Sequence, residues 1–142
     1  MSAIRINHVS VHAADLDASE AFYSELFGLA RIPTPDFGRP VRWLKVGDNQ
    51  LHLFQLSADA PADHHFAFTV DDLEEVYRKA HEKGVLDRPE VRRLPDGSAQ
   101  MYLRDPSGNL VECTAPDADA LDTALVGELV PVSGEDGARL FL

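Results

Sequence analysis

Three histidines and one glutamate, His8, His52, His65 and Glu112, carry side chains suited to metal or acid–base chemistry, and each sits in an alternating run of residues. The runs are IRINHVSVH over 4–12, QLHLFQL over 50–56, HFAFTV over 65–70 and LVECT over 110–114. Alternation marks a strand and places residues i and i+2 on one side. Val9 and Val11 then oppose His8, Ser10 and His12, and Leu51 and Leu53 oppose His52 and Phe54. Phe66, Phe68 and Val70 oppose His65, Ala67 and Thr69, while Val111 and Cys113 oppose Leu110, Glu112 and Thr114. If helices cover the apolar side, the imidazoles and the carboxylate share the other, and a sheet curled into a cup brings them together. Such a set suits Zn, Ni, Co or Fe(II), and two His with one carboxylate is the facial triad that leaves positions open on Fe(II). Taken singly, each residue has a plainer reading. A lone strand histidine is more often packed or solvated than ligating, and Glu112 alone reads as an edge carboxylate. His64 is an alternative to His65, but parity puts it on the opposite side. His12, at a strand end, and His81, on a polar helix face, read as incidental. Cys113 falls on the core side and reads as a small buried hydrophobe.

The elements that would position these residues repeat one plan. The first strand, Ile4–His12, is followed by helix-cap candidates Asp15 and Asp17, the latter with Glu20 at capping-box spacing. A helix runs to about Phe27, with Leu16, Phe22, Leu26 and Phe27 largely on one face and Gly28 at its stop. Strands are expected at 29–33, 41–46 and 50–56, separated by the loop Pro33–Pro40 and the turn Gly47-Asp48-Asn49. The second half runs from the strand His65–Val70 to a helix capped at Asp71-Asp72, ending at His81 or Lys83 before Gly84. Its acidic start, Asp71, Asp72, Glu74 and Glu75, complements a helix dipole. Strands follow at 85–92, 99–104 and 110–114, with turns at Pro95-Asp96-Gly97 and Asp105-Pro106-Ser107-Gly108. His8 precedes Asp15 by seven residues, and His65 precedes Asp72 by seven. The expected fold is therefore α+β: two βαβββ modules forming a curved, cup-shaped mixed sheet with helices outside. Module one spans about 4–56, the small-residue linker SADAPAD covers 57–63, and module two spans about 64–114. In the extension 115–142 the pattern fades, leaving a short helix within 117–125 and short strands at 130–132 and 139–142 as candidates.

The chain has 142 residues, one domain's worth, and its 44% hydrophobic content fits a globular class. A net charge of −11 disfavours a nucleic-acid backbone or an anionic membrane as partner. One cysteine rules out an intrachain disulfide, and there is no signal-like apolar stretch or run of membrane-spanning length. A cytoplasmic location is the expectation.

Three stretches carry a family resemblance. His8-Val9, Val11, Ser19, Phe22-Tyr23 and Phe27-Gly28-Leu29 resemble the opening signature of glyoxalase I, with Ala13 departing where a β-branched residue is usual. His64-His65-Phe66-Ala67, Thr69 and Asp72 look like the start of that family's second module. Met101-Tyr102-Leu103-Arg104-Asp105-Pro106-Ser107-Gly108, then Glu112, resembles the closing signature of extradiol dioxygenases. In this order, over about 4–114, they resemble the vicinal oxygen chelate superfamily. That superfamily includes glyoxalase I, bleomycin-resistance proteins, fosfomycin-resistance transferases, methylmalonyl-CoA epimerases and extradiol dioxygenases. The resemblance implies metal ligands at His8, His65 and Glu112. His52 takes a fourth position where Glu or Gln is usual, as a ligand, a base or a hydrogen-bonding group. Tyr102 matches a tyrosine that assists dioxygen chemistry, but Arg93, Leu94 and Pro95 stand where ring-cleaving members carry a histidine.

The implied activity is a metal-dependent enzyme, holding Fe(II), Ni, Zn, Co or Mn, that chelates vicinal oxygens of a small-molecule substrate. Lyase, isomerase and dioxygenase chemistry all remain open, with Glu112, His52 and Tyr102 as catalytic candidates. The alternative is a non-enzymatic drug-sequestering protein of the bleomycin-resistance type, which the acidic charge would suit if the drug is cationic. A homodimer is implied by resemblance. Arg39, Arg42, Lys45, Arg92, Arg93 and Arg104 are candidates for an anionic substrate, with surface cations as the plain reading.

Overall fold

Both long helices begin on an aspartate and end on a glycine. In the computed structural model, which describes every residue except Met1 and Ile4, α1 spans Leu16–Phe27 and α2 spans Leu73–Lys83. Asp15 accepts hydrogen bonds from the backbone N–H of Asp17 and Ala18 at 2.9 and 3.0 Å, and Asp72 accepts from Glu75 N–H at 2.8 Å. These bonds satisfy N–H groups that the first helical turn leaves without partners. Gly28 and Gly84 follow with φ of 65° and 67°, the left-handed region that closes a helix and favours glycine. The alternative cap at Asp17 is not used, because Glu20 turns instead to Arg42, 2.7 Å away.

The chain divides into two units, residues 1–62 with 105–109, and residues 63–104 with 110–142. The first holds β1 (His8–Ala13), β2 (Ala30–Ile32), β3 (Val41–Val46) and β4 (Asn49–Gln55), in the order β1-β4-β3-β2. β1 runs parallel to β4, and the other pairs are antiparallel. The expected first strand is shorter than its alternation suggested. The ladder starts at His8 opposite Gln50, close to the start of β4 at Asn49, and just before it the Gln50 N–H donates to the Asn7 carbonyl at 3.1 Å; Ile4 lies outside the described residues. Register puts Val9, Leu51 and Leu44 in one row and Val11, Leu53 and Arg42 in the next. These rows lie toward α1, whose Leu16, Phe22, Tyr23 and Leu26 are buried, and Arg42 reaches from them to Asp17 and Glu20 on that helix.

Residues 105–109 close this unit through a buried network. Tyr23 donates its hydroxyl to Asp105 Oδ2 at 2.7 Å, and Asp105 Oδ1 accepts the backbone N–H groups of Ser107 and Asn109. Asn109 Nδ2 donates to Asp105 Oδ2 and to the His12 carbonyl, each at 2.8 Å. Ser107 Oγ accepts from Ala14 N–H at 2.8 Å.

The second unit orders β5 (His65–Thr69), β8 (Leu110–Ala115), β7 (Ala99–Arg104), β6 (Arg92–Arg93) and β9 (Val130–Pro131) across one sheet. Phe66, Val111 and Leu103 form one apolar row, and Phe68, Cys113 and Met101 the next. α2 buries Leu73, Val76 and Ala80 and lies against β8 and the short helix α3 (Thr123–Val126). The strand expected at 85–92 is reduced to an isolated bridge, Leu86 to Leu103, and the two-residue β6. Pro89 lacks a backbone donor and disfavours regular continuation through Arg88. In the extension, the expected helix becomes a 3-10 turn at Ala118–Ala120 plus α3, and the strand near 130 is β9. No strand forms over 139–142, where Leu140 N–H is held by the Asp96 carboxylate rather than by a ladder. The expected α+β class is borne out, and its strands form two mixed sheets, one in each unit, neither closing into a barrel. Among the described residues no helix is long and apolar enough to cross a membrane.

The Tyr23–Asp105 bond yields a prediction. Burial first, and then the Asp105 carboxylate, push the Tyr23 phenol well above its ordinary range. Tyr23→Phe should cost about 1–3 kcal/mol in urea unfolding at neutral pH, since buried Asp105 loses a donor. The raised phenol contributes stability below about pH 10 that is lost as pH rises further, so the variant should lack that part of the alkaline decline. An unchanged midpoint at neutral pH would contradict the structural role assigned to this bond.

Candidate functional site

Strand register brings Glu112 beside Ala67 on β5 and Tyr102 on β7. His65 precedes Ala67 by two residues and Gln100 precedes Tyr102 by two, so both share this face. Glu112 is 5% exposed. Its Oε1 accepts from Gln100 Nε2 at 2.8 Å, its Oε2 faces His65 Nε2 at 3.0 Å, and the Tyr102 hydroxyl is hydrogen-bonded to it. Ala67, small and exposed, adds no side chain to crowd the carboxylate.

His65 is oriented from behind. Its Nδ1 lies 2.9 Å from the Asp63 carbonyl, which can only accept, so Nδ1 carries the proton. In the neutral ring Nε2 then presents a lone pair to a carboxylate oxygen. Two acceptors this close call for a proton or a cation between them. A backbone carbonyl behind the imidazole is also the usual partner of a metal-bound histidine. Tyr102 lies edge-on to His65 at 5.5 Å between ring centroids, and the Arg88 guanidinium lies 4.4 Å above the Tyr102 ring. Burial, then the charge of Glu112 and the hydrogen bond to it, raise the Tyr102 phenol above its ordinary value.

In the first unit, His52 lies between two rings. Its centroid is 4.3 Å from His8 and 4.2 Å from Trp43, with interplanar angles of 17° and 5°. His52 is 6% exposed, and its Nε2 is 2.8 Å from Gln50 Oε1. Burial first, and then the neighbouring His8, lower its proton affinity. His8 is exposed, and its Nδ1 is hydrogen-bonded to the Asn7 side chain.

The candidates thus occur as pairs, His65 with Glu112 and His8 with His52. Among the described residues no group of three or more His, Cys, Asp or Glu forms a ready metal site. The donor types and the facing acceptors of the His65–Glu112 pair fit two positions of a divalent-metal site. His64 is exposed, the His12 backbone serves Asn109, and His81 stacks on Tyr77. Cys113 is fully buried and its thiol is pushed far up, as its core-side placement required.

Several proposed anion binders are already committed to carboxylates. Arg42 pairs with Asp17 and Glu20, Arg93 with Asp119 at 3.0 Å, and Arg104 with Asp87 at 2.7 Å. Arg92 lies 3.6 Å from Glu90. Sequence reasoning missed Gln100, Gln50, Arg88 and Trp43. Strand parity could have found Gln100 and Gln50, two residues from Tyr102 and His52 respectively. No local signal places Arg88 over Tyr102, because it depends on the chain's turn before Pro89.

The sequence description of the Glyoxalase/Bleomycin resistance protein/Dioxygenase superfamily matches residues 5–113. The uncharacterized protein YwbC of Bacillus subtilis (strain 168) is 30% identical over 122 residues, covering 78% of this chain and 96% of that protein. Among solved structures, lactoylglutathione lyase from Agrobacterium tumefaciens is similar, with a TM-score of 0.63 and 28% identity over 85% of this chain and all of its own. Oxidase ChaP-H1 is similar with a TM-score of 0.65 and 30% identity, over 80% of this chain and 96% of its own.

The contact between Tyr102 and Glu112 can be measured by ultraviolet titration of the phenols. Replacing the carboxylate in Glu112→Gln removes two of the influences that raise Tyr102, so one tyrosine should titrate nearer about pH 10 than in the wild type. Identical titration curves would place Tyr102 outside the influence of Glu112.

Proposed function

Since the chain belongs to the Glyoxalase/Bleomycin resistance protein/Dioxygenase superfamily, we propose that it is a metal-dependent enzyme that acts on a small molecule through two vicinal oxygens. The observation that carries this reading is the His65–Glu112 pair, whose Nε2 and Oε2 lie 3.0 Å apart on oriented side chains. The proposed ligands are His8, His65 and Glu112, with His52 as the fourth candidate. A divalent ion held there (Fe(II), Ni, Zn, Co or Mn) would supply Lewis-acid polarisation of the substrate oxygens.

The protein groups then have separable tasks. Tyr102 stays protonated through the neutral range, because burial and Glu112 both raise it, and so can donate a hydrogen bond to a substrate oxygen. Glu112 can exchange a proton with a carbon acid through whichever oxygen His65 or Gln100 releases. His52 is a neutral imidazole at neutral pH, able to accept a proton if it leaves Gln50. Lyase or isomerase chemistry would use this acid–base set, and dioxygenase chemistry would use the hydrogen bond from Tyr102. A homodimer in the cytoplasm is part of the same proposal.

The competing reading, capture of a cationic drug without catalysis, draws on the net charge of −11. It is disfavoured by the face that carries His8 and His52, where the strand residues include no carboxylate.

Elemental analysis of protein purified without added metal separates the two. Wild type should carry about one transition-metal ion per chain, and His65→Ala should lose it. Iron would direct assays to oxygen uptake, whereas nickel, cobalt or zinc would direct them to lyase and isomerase reactions. A wild type that is empty and also refuses added Zn, Ni and Fe(II) would overturn the metalloenzyme reading in favour of ligand capture.

A further inference from the structure

The face of the first sheet turned away from α1 has a composition unlike the rest of the chain. Register assigns to it His8, Ser10 and His12 of β1, Gln50, His52 and Phe54 of β4, and Val41, Trp43 and Lys45 of β3. None of these is a carboxylate, although the chain carries 24 Asp and Glu against 13 Lys and Arg. Phe37, from the loop between β2 and β3, lies 5.9 Å from Trp43 and 6.4 Å from Phe54, centroid to centroid. It is 51% exposed, an unusual position for a phenylalanine that has two aromatic neighbours. The Arg39 guanidinium stands 4.7 Å above the Phe54 ring.

Two further observations point to a ligand. Trp43 Nε1 is buried and has no hydrogen-bond partner among the described residues. A buried donor left unsatisfied is rare and disfavoured, so an acceptor from outside the chain is a natural partner. Arg39 and Lys45 also form no ion pair with a carboxylate among the described residues, whereas Arg42, Arg88, Arg93 and Arg104 all do. Arg39 therefore keeps its positive charge free of carboxylates beside the aromatic cluster in a strongly acidic protein.

We propose that this face is an aromatic-anion subsite, in which Phe37, Trp43 and Phe54 receive a planar ring and Arg39 receives its negatively charged oxygen substituent. The stack of His8, His52 and Trp43 holds the indole rigid, so the ring binds a preorganised surface. An aromatic ring gains offset or edge contacts with the cluster that a saturated ring does not. A cation of the same shape lacks the charge complementarity. The inference names the substrate class for the function proposed above and rests on that reading only in taking this face to be the substrate's.

Trp43 is the single tryptophan of the chain, so its emission reports on this site alone. Benzoate, cyclohexanecarboxylate and benzylammonium are titrated separately into the purified protein at constant ionic strength. Benzoate should change Trp43 emission saturably in the millimolar range, with the other two at least about 10-fold weaker. Phe37→Ala and Arg39→Ala should each weaken benzoate about 10-fold, and circular dichroism checks that both variants fold. Arg78→Ala, which removes an exposed cation on α2 paired with Glu75 and Glu82, should bind benzoate as the wild type does. Equal responses to all three probes, no saturation, or a wild-type response in Phe37→Ala would overturn the subsite. Loss of the benzoate response in Arg78→Ala would assign it to positive charge in general and would also overturn the subsite, leaving the metalloenzyme reading intact. A protein that binds benzoate as described yet takes up no metal would sink that reading and leave the subsite standing.

Discussion

A carboxylate removed from water must be compensated, and Glu112 sets that demand for the second unit. At 5% exposure its charge is tolerable only with donors or a cation close by. The sheet supplies neighbours through register alone: Tyr102 directly across on β7, Gln100 and His65 diagonally, and Ala67 across on β5 with no side chain to crowd them. Gln100 and Tyr102 can donate to the carboxylate at all times, whereas His65 can do so only with a second ring proton, because the Asp63 carbonyl already holds the first on Nδ1. The arrangement is complete with a proton or a cation at that one place. The metalloenzyme proposal rests on this asymmetry.

The first unit answers a different constraint. Its sheet has one side fully occupied by α1, where Leu44, Leu51 and Leu53 are at most 1% exposed. The other side must then carry every residue that the core rejects. Along β4 the pleat alternates Leu51 and Leu53 with Gln50, His52 and Phe54. His52 is nonetheless buried, because rings cover it on both sides, His8 from β1 and Trp43 from β3. Stacking thus does for an imidazole what helix packing does for a leucine, and it leaves His52 neutral with its Nε2 directed to Gln50.

How far this was legible in the sequence follows from which interactions are local. Helix ends were readable because an aspartate cap and a left-handed glycine act within a turn, as at Asp15, Gly28, Asp72 and Gly84. Faces were readable because parity is a property of the strand itself, and it put Glu112 and His65 on one side and Cys113 on the other. Strand length was less readable, since it depends on the partner: β1 starts only where β4 offers a ladder, and the run at 85–92 gives way at Pro89. The Tyr23–Asp105 bond spans 82 residues and left no local trace beyond the residue types. The same holds for the His8–His52–Trp43 stack, whose members come from three strands, and for the arginines whose partners are distant carboxylates. The capping box at Asp17 and Glu20 shows the reverse failure, a valid local pattern that lost to the more distant Arg42.

The most direct test of the central claim is a long-range proton–nitrogen NMR spectrum of the histidine rings, recorded before and after one equivalent of Zn(II). His65 should start with its proton on Nδ1, facing the Asp63 carbonyl, and zinc should shift the resonance of Nε2, the atom facing Glu112. Zinc that leaves the His65 ring nitrogens unmoved, or that shifts Nδ1 instead, would contradict the assignment of this pair as the heart of the site.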